Sequence, residues 1–293
     1  MHIILGGTGH VGSAAAQRLL ASGEPVTIVS RSPDEREAWE RRGARLAVAD
    51  VLDVDALRAV FRQGRTAFVL NPPADVSTDT DAQERRSVAA ILAALHDSGL
   101  QHVVAESTMG AQPGQSLGDL GVLYELEQGL RRQPIPAGII RAAYYMSNWD
   151  ASVPTIRSQG RLDSLLPADL QMPMVAPDDL GHAAARLLMG PVPRELVLHG
   201  VEGPQRHSPN DVAAAFAAAL GRPVDVNVIP RSDWLDAYRQ RGFSEAAAAS
   251  FARMTAASVD GGFPPVASTH KGVVTLQAYV DQLLERAAEP APR

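Results

Sequence analysis

The chain has no cysteine, so disulfides, thiolate nucleophiles, thiolate zinc sites and iron–sulfur ligation are excluded together. Lysine is nearly absent too. Lys271 stands alone, and every other member of the Lys and Arg total of 27 is arginine. No apolar run approaches the roughly 20 residues of a membrane span, and Ile3-Ile4-Leu5 runs into glycines rather than a signal-peptide cleavage site. The expectation is a cytoplasmic protein with no membrane partner. The formal net charge is −6 and the arginines are interleaved with acids, which offers no field for nucleic acid. The eight histidines show no metal-ligand spacing and no Gly-x-Ser-x-Gly elbow occurs, so neither a metal site nor a hydrolytic serine is expected. Redox chemistry in such a chain needs a bound organic cofactor.

What is present is an ordinary globular composition, 45% apolar and 20% charged over 293 residues, enough for one large α/β core. Short β-branched runs alternate with longer helical patterns, which predicts a doubly wound parallel sheet. Strands are expected at His2–Leu5, Pro25–Val29, Ala44–Ala49, Thr66–Leu70, His102–Ala105 and Ala137–Ile140. Helices are expected at Val11–Ser22, Pro33–Arg42 behind a Ser32 cap, Val54–Gln63, within Thr80–Ser98, and at Asp119–Arg132. After about Trp149 the pattern loosens. It resumes with a helix at Pro177–Leu188, a strand at Glu195–His199, a helix at Pro209–Leu220 capped by Ser208, and a strand at Val224–Ile229. Helices around Ser232–Arg241, Ser244–Ala257 and Lys271–Ala287 follow, with a frayed tail over Ala287–Arg293. The fold class is thus a Rossmann-type α/β sheet over residues 1–150 with a smaller, mainly helical C-terminal substrate lobe over 151–293 that shares its core.

The first strand leads into Gly6-Gly7-Thr8-Gly9-His10-Val11-Gly12 and then a helix. A backbone can approach a pyrophosphate only where side chains are missing, and a helix start presents free N–H groups to the anion. In this context the stretch reads as a dinucleotide-binding turn, with Gly6, Thr8, Gly9, His10, Val11 and Gly12 as its contacts. An acid about 20 residues further on would mark NAD through its ribose hydroxyl. Here the second strand ends in Val29-Ser30-Arg31-Ser32, and Arg31 suits a 2′-phosphate. NADP(H) is therefore favoured, with NAD(H) as the alternative. Asp34 and Glu35 read as first-turn acids of the next helix, as do Asp178 and Asp179 further on.

This turn, together with Ser30-Arg31, Ala49-Asp50-Val51, Asn71-Pro72-Pro73, and Ile140-Arg141 through Asn148-Trp149, resembles the NmrA-like family of atypical short-chain dehydrogenase/reductases. The segments Val175 to Gly181, Ser208 to Val224 and Gly242 to Phe263 look like that family's C-terminal lobe, the last one like its quinone, azo-dye and triphenylmethane-dye reductase branch. The resemblance implies that Asp50 and Val51 lie beside the adenine and that Asn71, Pro72 and Pro73 line the cofactor. It also implies that Ser107 sits near the nicotinamide ribose and that Tyr145, Met146 and Asn148 border the nicotinamide. These positions follow strand ends, where ligands bind in an open α/β sheet. Asn71-Pro72 also makes a turn without any ligand.

The chain departs from the wider superfamily at the Tyr-x-x-x-Lys pair, since Tyr124 is followed four residues later by Gln128, and Leu123 occupies the position where the family often has a lysine. An alcohol dehydrogenase lacks its proton donor here. Hydride transfer to an electron-poor acceptor does not need that pair. The expected function is reduction of a small conjugated or aromatic acceptor such as a quinone, enone or dye by NADPH. Ser107, Tyr124, Tyr145 and Asn148 are the catalytic candidates, with packing as the competing role for Tyr124. The other reading is a non-catalytic NADP(H) sensor acting through a protein partner. A homodimer is left open, to be judged from an exposed apolar helix face.

Overall fold

A computed structural model describes residues 1–287. The apolar runs of the first half form strands β1 (His2–Leu5), β2 (Val26–Ser30), β3 (Arg45–Val48), β4 (Thr66–Val69), β5 (His102–Thr108) and β6 (Ala137–Ala142). Between them lie helices α1 (His10–Ala21), α2 (Arg36–Arg41), α3 (Val54–Phe61), α4 (Thr80–Leu95) and α5 (Asp119–Arg131). The second half adds β7 (Tyr144–Tyr145), a 3-10 helix over Met146–Ser152, α6 (Val153–Gln159), β8 (Arg161–Ser164), β9 (Met172–Val175), α7 (Pro177–Met189), β10 (Val197–Glu202) and β11 (Arg206–His207). It closes with α8 (Pro209–Leu220), β12 (Asp225–Val228), α9 (Trp234–Gln240), α10 (Glu245–Gly261), β13 (Thr269–Lys271) and α11 (Leu276–Arg286).

One parallel sheet runs β13-β10-β6-β5-β4-β1-β2-β3, a Rossmann-type order that reverses direction at β1. Its two outermost strands on one side, β10 and β13, come from the second half of the chain, with Gly200 opposite Thr269. One face of the sheet is covered by α1 and α7, around Ile4, Ile28, Phe68, Val104 and Leu180. The other is covered by α3, α4 and α5, around Ile3, Leu57, Val69, Ile91 and Leu126. Both faces being buried explains why the strands read as continuous apolar runs. A third apolar cluster, including Trp149, Ile156, Met172, Phe216 and Tyr279, holds the C-terminal lobe together.

Local signals account for the best-read elements. Ser208 Oγ accepts from Asp211 N–H while the Asp211 carboxylate accepts from Ser208 N–H at 2.7 Å, a reciprocal cap that starts α8 with Pro209 in its first turn. Three expectations need correction. Residues 33–35 form a turn, with Ser32 Oγ accepting from Asp34 N–H, so α2 begins only at Arg36. The last helix begins at Leu276 and not at Lys271, because residues 269–271 pair with β10 as a strand, a contact with a segment about 70 residues away that no local pattern reports. Asp179 does more than neutralise a helix terminus: its two carboxylate oxygens accept from Val273 N–H and Val274 N–H at 3.0 and 3.1 Å, tying the chain after β13 to α7. The tail from residue 288 onward, part of the expected frayed segment, lies outside the described residues.

Helices α1 and α7 approach closely because Gly181 faces Ala14 and Ala15, where an added Cβ would fall 2.4 Å from Ala14 Cβ and 2.6 Å from Ala15 N. Within a helix, alanine is ordinarily about 1 kcal/mol better than glycine. Gly181→Ala should instead lower stability by about 1–3 kcal/mol, as overpacking does. The urea midpoint checks this, and a midpoint at or above that of the unsubstituted protein would show that the helices separate freely.

Candidate functional site

The strand order reverses between β1 and β4, so the crevice beyond their carboxyl ends is the place for a ligand. There the chain turns at Gly6, which has φ +69°, and enters α1. A Cβ on Gly12 would fall 2.3 Å from the Gly6 carbonyl oxygen, so only glycine lets the helix start so close to the turn. The first intrahelical bond runs from Ser13 N–H to Gly9 C=O, so the N–H groups of His10, Val11 and Gly12 precede the ladder. No side chain caps them and no acid sits in the first turn, in contrast to α3, α4, α8, α10 and α11, each capped by a side-chain oxygen. Thr8, Gly9 and His10 are exposed. This is a cradle that an anionic group fits.

The expected lining residues surround the same crevice in unequal ways. Arg31 follows β2, exposed and without an ion-pair partner among the described residues. Asp50 is exposed, its carboxylate accepting from Leu52 N–H at 2.8 Å, while Val51 is buried. Asn71, Pro72 and Pro73 follow β4, and Asn71 Oδ1 is a buried acceptor with no partner among the described residues, an orphan that a bound molecule would satisfy. Both observations, the uncapped glycine cradle and the orphaned amide oxygen, fit a dinucleotide.

Ser107 lies inside β5 rather than after it, buried, with its hydroxyl donating to Glu127 Oε1 at 2.6 Å. Arg141 closes that group by donating to both carboxylate oxygens of Glu127, at 2.8 and 2.7 Å. Met146 is 0% exposed within the core of the lobe, so only its main chain is available to a ligand. Asn148 is exposed and lies beside the Tyr144 hydroxyl, whose proton affinity burial pushes up to about 12. Tyr124 is half-buried on α5, with no hydrogen bond from its hydroxyl to a described residue. Lys271 pairs with Glu202 at 2.7 Å. It lines, with Arg18, His182, Arg186 and His270, a pocket of about 440 Å³ that contains none of the expected cofactor residues.

The reading of the sequence missed a set of acids at the same edge of the sheet. Glu106 of β5, 6% exposed, accepts a very short hydrogen bond from the Tyr145 hydroxyl. Glu84 of α4 is buried, accepts from Ala74 N–H at 3.1 Å and faces Asp119 and Asp81. Asp119 and Tyr145 keep surface open to solvent although protein surrounds them, as residues lining a cleft do. A charged residue in the otherwise apolar run Val103-Val104-Ala105-Glu106 was the available signal.

The C-terminal lobe closes this cleft through α10. Ser244 N–H donates to Val76 C=O at 2.8 Å, Arg253 Nε to Ser116 C=O at 2.9 Å, and Ser250 Oγ donates to Asp81 while accepting from Gly118 N–H. Tyr238, Phe243 and Phe251 pack ring against ring at 5.0–5.8 Å, and Tyr144 stands 6.0 Å from Trp149. Among the described residues, no cluster of metal-ligating side chains occurs, and no helix is long and apolar enough to cross a membrane.

Residues 2–278 match the model of the NmrA-like family. An NAD(P)H azoreductase of Xenophilus azovorans is 26% identical over 224 residues, 76% of this chain and 75% of that protein. The nitrogen metabolite regulation-like protein bik4 of Gibberella fujikuroi is 28% identical over 208 residues, 64% of this chain and 61% of that protein. A solved structure of Citrobacter sp. triphenylmethane reductase superposes with a TM-score of 0.78 at 16% identity, covering 97% of this chain and 99% of that one.

Burial, then the charges of Asp119 and Asp81, raise the Glu84 carboxyl to about 8 from an ordinary 4.5. The folded state therefore holds this proton more tightly than the unfolded chain, so its stabilising effect is complete below about 4.5 and is lost as pH rises through about 8. The melting temperature should fall between about pH 4.5 and pH 8 and level off above, and Glu84→Gln should flatten that fall and melt higher at the alkaline end. An identical slope in the variant would assign the loss to another group.

Proposed function

The chain belongs to the NmrA-like family, and from that premise we propose that it is an NADPH-dependent reductase of small conjugated or aromatic acceptors. The observation that carries the reading is the uncapped glycine cradle with the unpaired Arg31 guanidinium at the neighbouring strand end. When bound, NADPH supplies a hydride.

In this reading the N–H groups of His10, Val11 and Gly12, with the Thr8 hydroxyl and the backbone of Gly6 and Gly9, hold the pyrophosphate. Arg31 pairs with the 2′-phosphate, which an arginine grips through parallel N–H donors. Asp50 and Val51 flank the adenine. Asn71, with its free amide oxygen, and Pro72 and Pro73 line the middle of the cofactor. Ser107, already committed to Glu127, acts there by keeping the strand end in position. Tyr145, the main chain of Met146 and Asn148 border the reacting end.

The acceptor class rests on three supports. The chain lacks a Tyr-x-x-x-Lys pair, which removes the usual proton shuttle for alcohols and ketones. The lobe presents the part-exposed aromatic side chains Tyr144, Phe243 and Phe251, which suit a planar acceptor. Relatives are named for reducing an azo compound and a triphenylmethane dye, both of them conjugated aromatic molecules.

Mixing the protein with NADPH and a panel of quinones, azo dyes and triphenylmethane dyes should give NADPH oxidation above background for at least one class. Cofactor binding without oxidation across the panel, with a protein partner captured in one cofactor state only, would favour a sensor instead. Arg31→Ala should weaken NADP binding by about tenfold to a hundredfold, the worth of charge-assisted bonds to a phosphate, with little effect on NAD. Equal losses for the two dinucleotides would overturn the role given to Arg31.

A further inference from the structure

Glu106 and Glu127 are both buried near the end of β5, yet their settings are opposite. Glu127 is held by the Arg141 guanidinium through two bonds and by the Ser107 hydroxyl. Glu106 projects from the opposite face of the strand, since neighbouring residues of a strand alternate. Among the described residues no cation meets it there. On β4 and β6, its neighbours in the sheet, the one charged side chain is Arg141, already engaged with Glu127. On α1 and α7, which cover that face, His10, Arg18, Asp178, His182 and Arg186 are exposed, and Asp179 is bonded to main-chain N–H groups. The side chain that does reach Glu106 is Tyr145 of β7, with Asp119 of α5 close to that hydroxyl and Glu84 and Asp81 of α4 behind it. Tyr145 is part-exposed at the carboxyl edge of the sheet, where the cleft opens, and Glu106 is closed off behind it.

We propose that Tyr145 and Glu106 form a proton relay that completes the reduction of acceptors ending with a new O–H or N–H bond, Tyr145 being the donor and Glu106 its reservoir. The inference rests on the reductase reading above. Reduction of a quinone carbonyl or an azo group takes up an electron pair, delivered as hydride by the reduced dinucleotide, and a proton. As the Tyr145 O–H bond breaks and the acceptor's new O–H or N–H bond forms, the Glu106 carboxyl O–H bond breaks and its proton bonds to the Tyr145 oxygen. The pair is left as a tyrosine donating to a glutamate carboxylate, and the Glu106 proton is restored by the reverse transfer, solvent giving a proton to the Tyr145 oxygen as the Tyr145 hydroxyl proton passes to Glu106.

Two features suit the pair to this order of events. Burial, first, and then a neighbouring Glu106 carboxylate hold the Tyr145 hydroxyl well above its usual range, so a proton passed on from Glu106 as Tyr145 donates spares the site a buried phenolate. Burial pushes Glu106 up to about 7 against the pull of the tyrosine hydrogen bond, which matches a reservoir to neutral pH. No lysine is needed for either.

A cationic triphenylmethane dye becomes a neutral product on taking hydride alone, whereas a quinone or azo dye also needs the proton. Parallel measurement of the two classes therefore isolates the relay. Glu106→Gln and Tyr145→Phe should each lower the ratio of quinone to triphenylmethane-dye turnover by about a hundredfold, the usual worth of a general acid. In the unsubstituted protein, quinone turnover should fall as pH rises through about 7 and be slowed in deuterium oxide, while dye turnover follows neither. Infrared difference spectra of the cofactor-free protein should contain a protonated-carboxyl band that disappears through the same pH range and is missing from Glu106→Gln. An unchanged ratio in both variants, or no such band, overturns the relay while leaving the reductase reading in place. Absence of NADPH oxidation with every acceptor overturns both.

Discussion

A carboxylate removed from water keeps its charge only where a cation or several N–H donors accompany it, and otherwise takes up a proton. The carboxyl edge of this sheet is organised by that constraint. Glu127 meets it with Arg141 and Ser107, which locks α5, β5 and β6 together. Asp179 meets it with two main-chain N–H groups, which fastens the segment after β13 to α7. Asp81 receives Ser250, which brings α10 of the C-terminal lobe down on α4. Glu106 and Glu84 have no cation among the described residues and sit in protein that favours their neutral forms. The single lysine is paired with Glu202 at the far edge of the sheet, and the arginine that reaches β5 is engaged with Glu127.

The cradle and the acids divide the work of the site along the strand ends. On one side of the crevice the turn and α1 offer uncapped N–H groups and a nearby arginine, a setting for negative charge. On the other side β5, β7 and the helix starts of α4 and α5 gather groups that hold protons. The lobe covers this second side with aromatic rings and makes its polar ties to the loops after β4 and before α5. The same residues that fasten the lobe therefore shape the cleft, so packing and chemistry are not separable there.

Much of the frame was legible in the chain. The first six strands were read to within a few residues because each is a short apolar run bounded by turn residues, and α8 to the residue because Ser208, Pro209 and Asp211 carry its cap. The short strands β7, β8, β9, β11 and β13 were not read. Each spans two to four residues and exists through partners distant in sequence, such as Asp225 opposite Arg161, so no local period marks it. Of the site, the cradle was legible because its demand is local: glycine at each point where backbone must approach backbone.

The sequence by itself determined the cradle, the arginine after β2, the missing Tyr-x-x-x-Lys pair and the absence of thiol chemistry. These are properties of residue type and short spacing. Only the tertiary structure decided which acids are charged and which tyrosine meets one. Glu106 and Glu127 are the same residue in the alphabet, and although the apolar run before Glu106 marks that position as buried, no neighbour in sequence reports the partner of either. What does is Arg141, which reaches across to one of them, and Tyr145, which reaches the other. The protonation state of a buried group is set by the field of everything packed around it, and that field is assembled only when the distant segments meet.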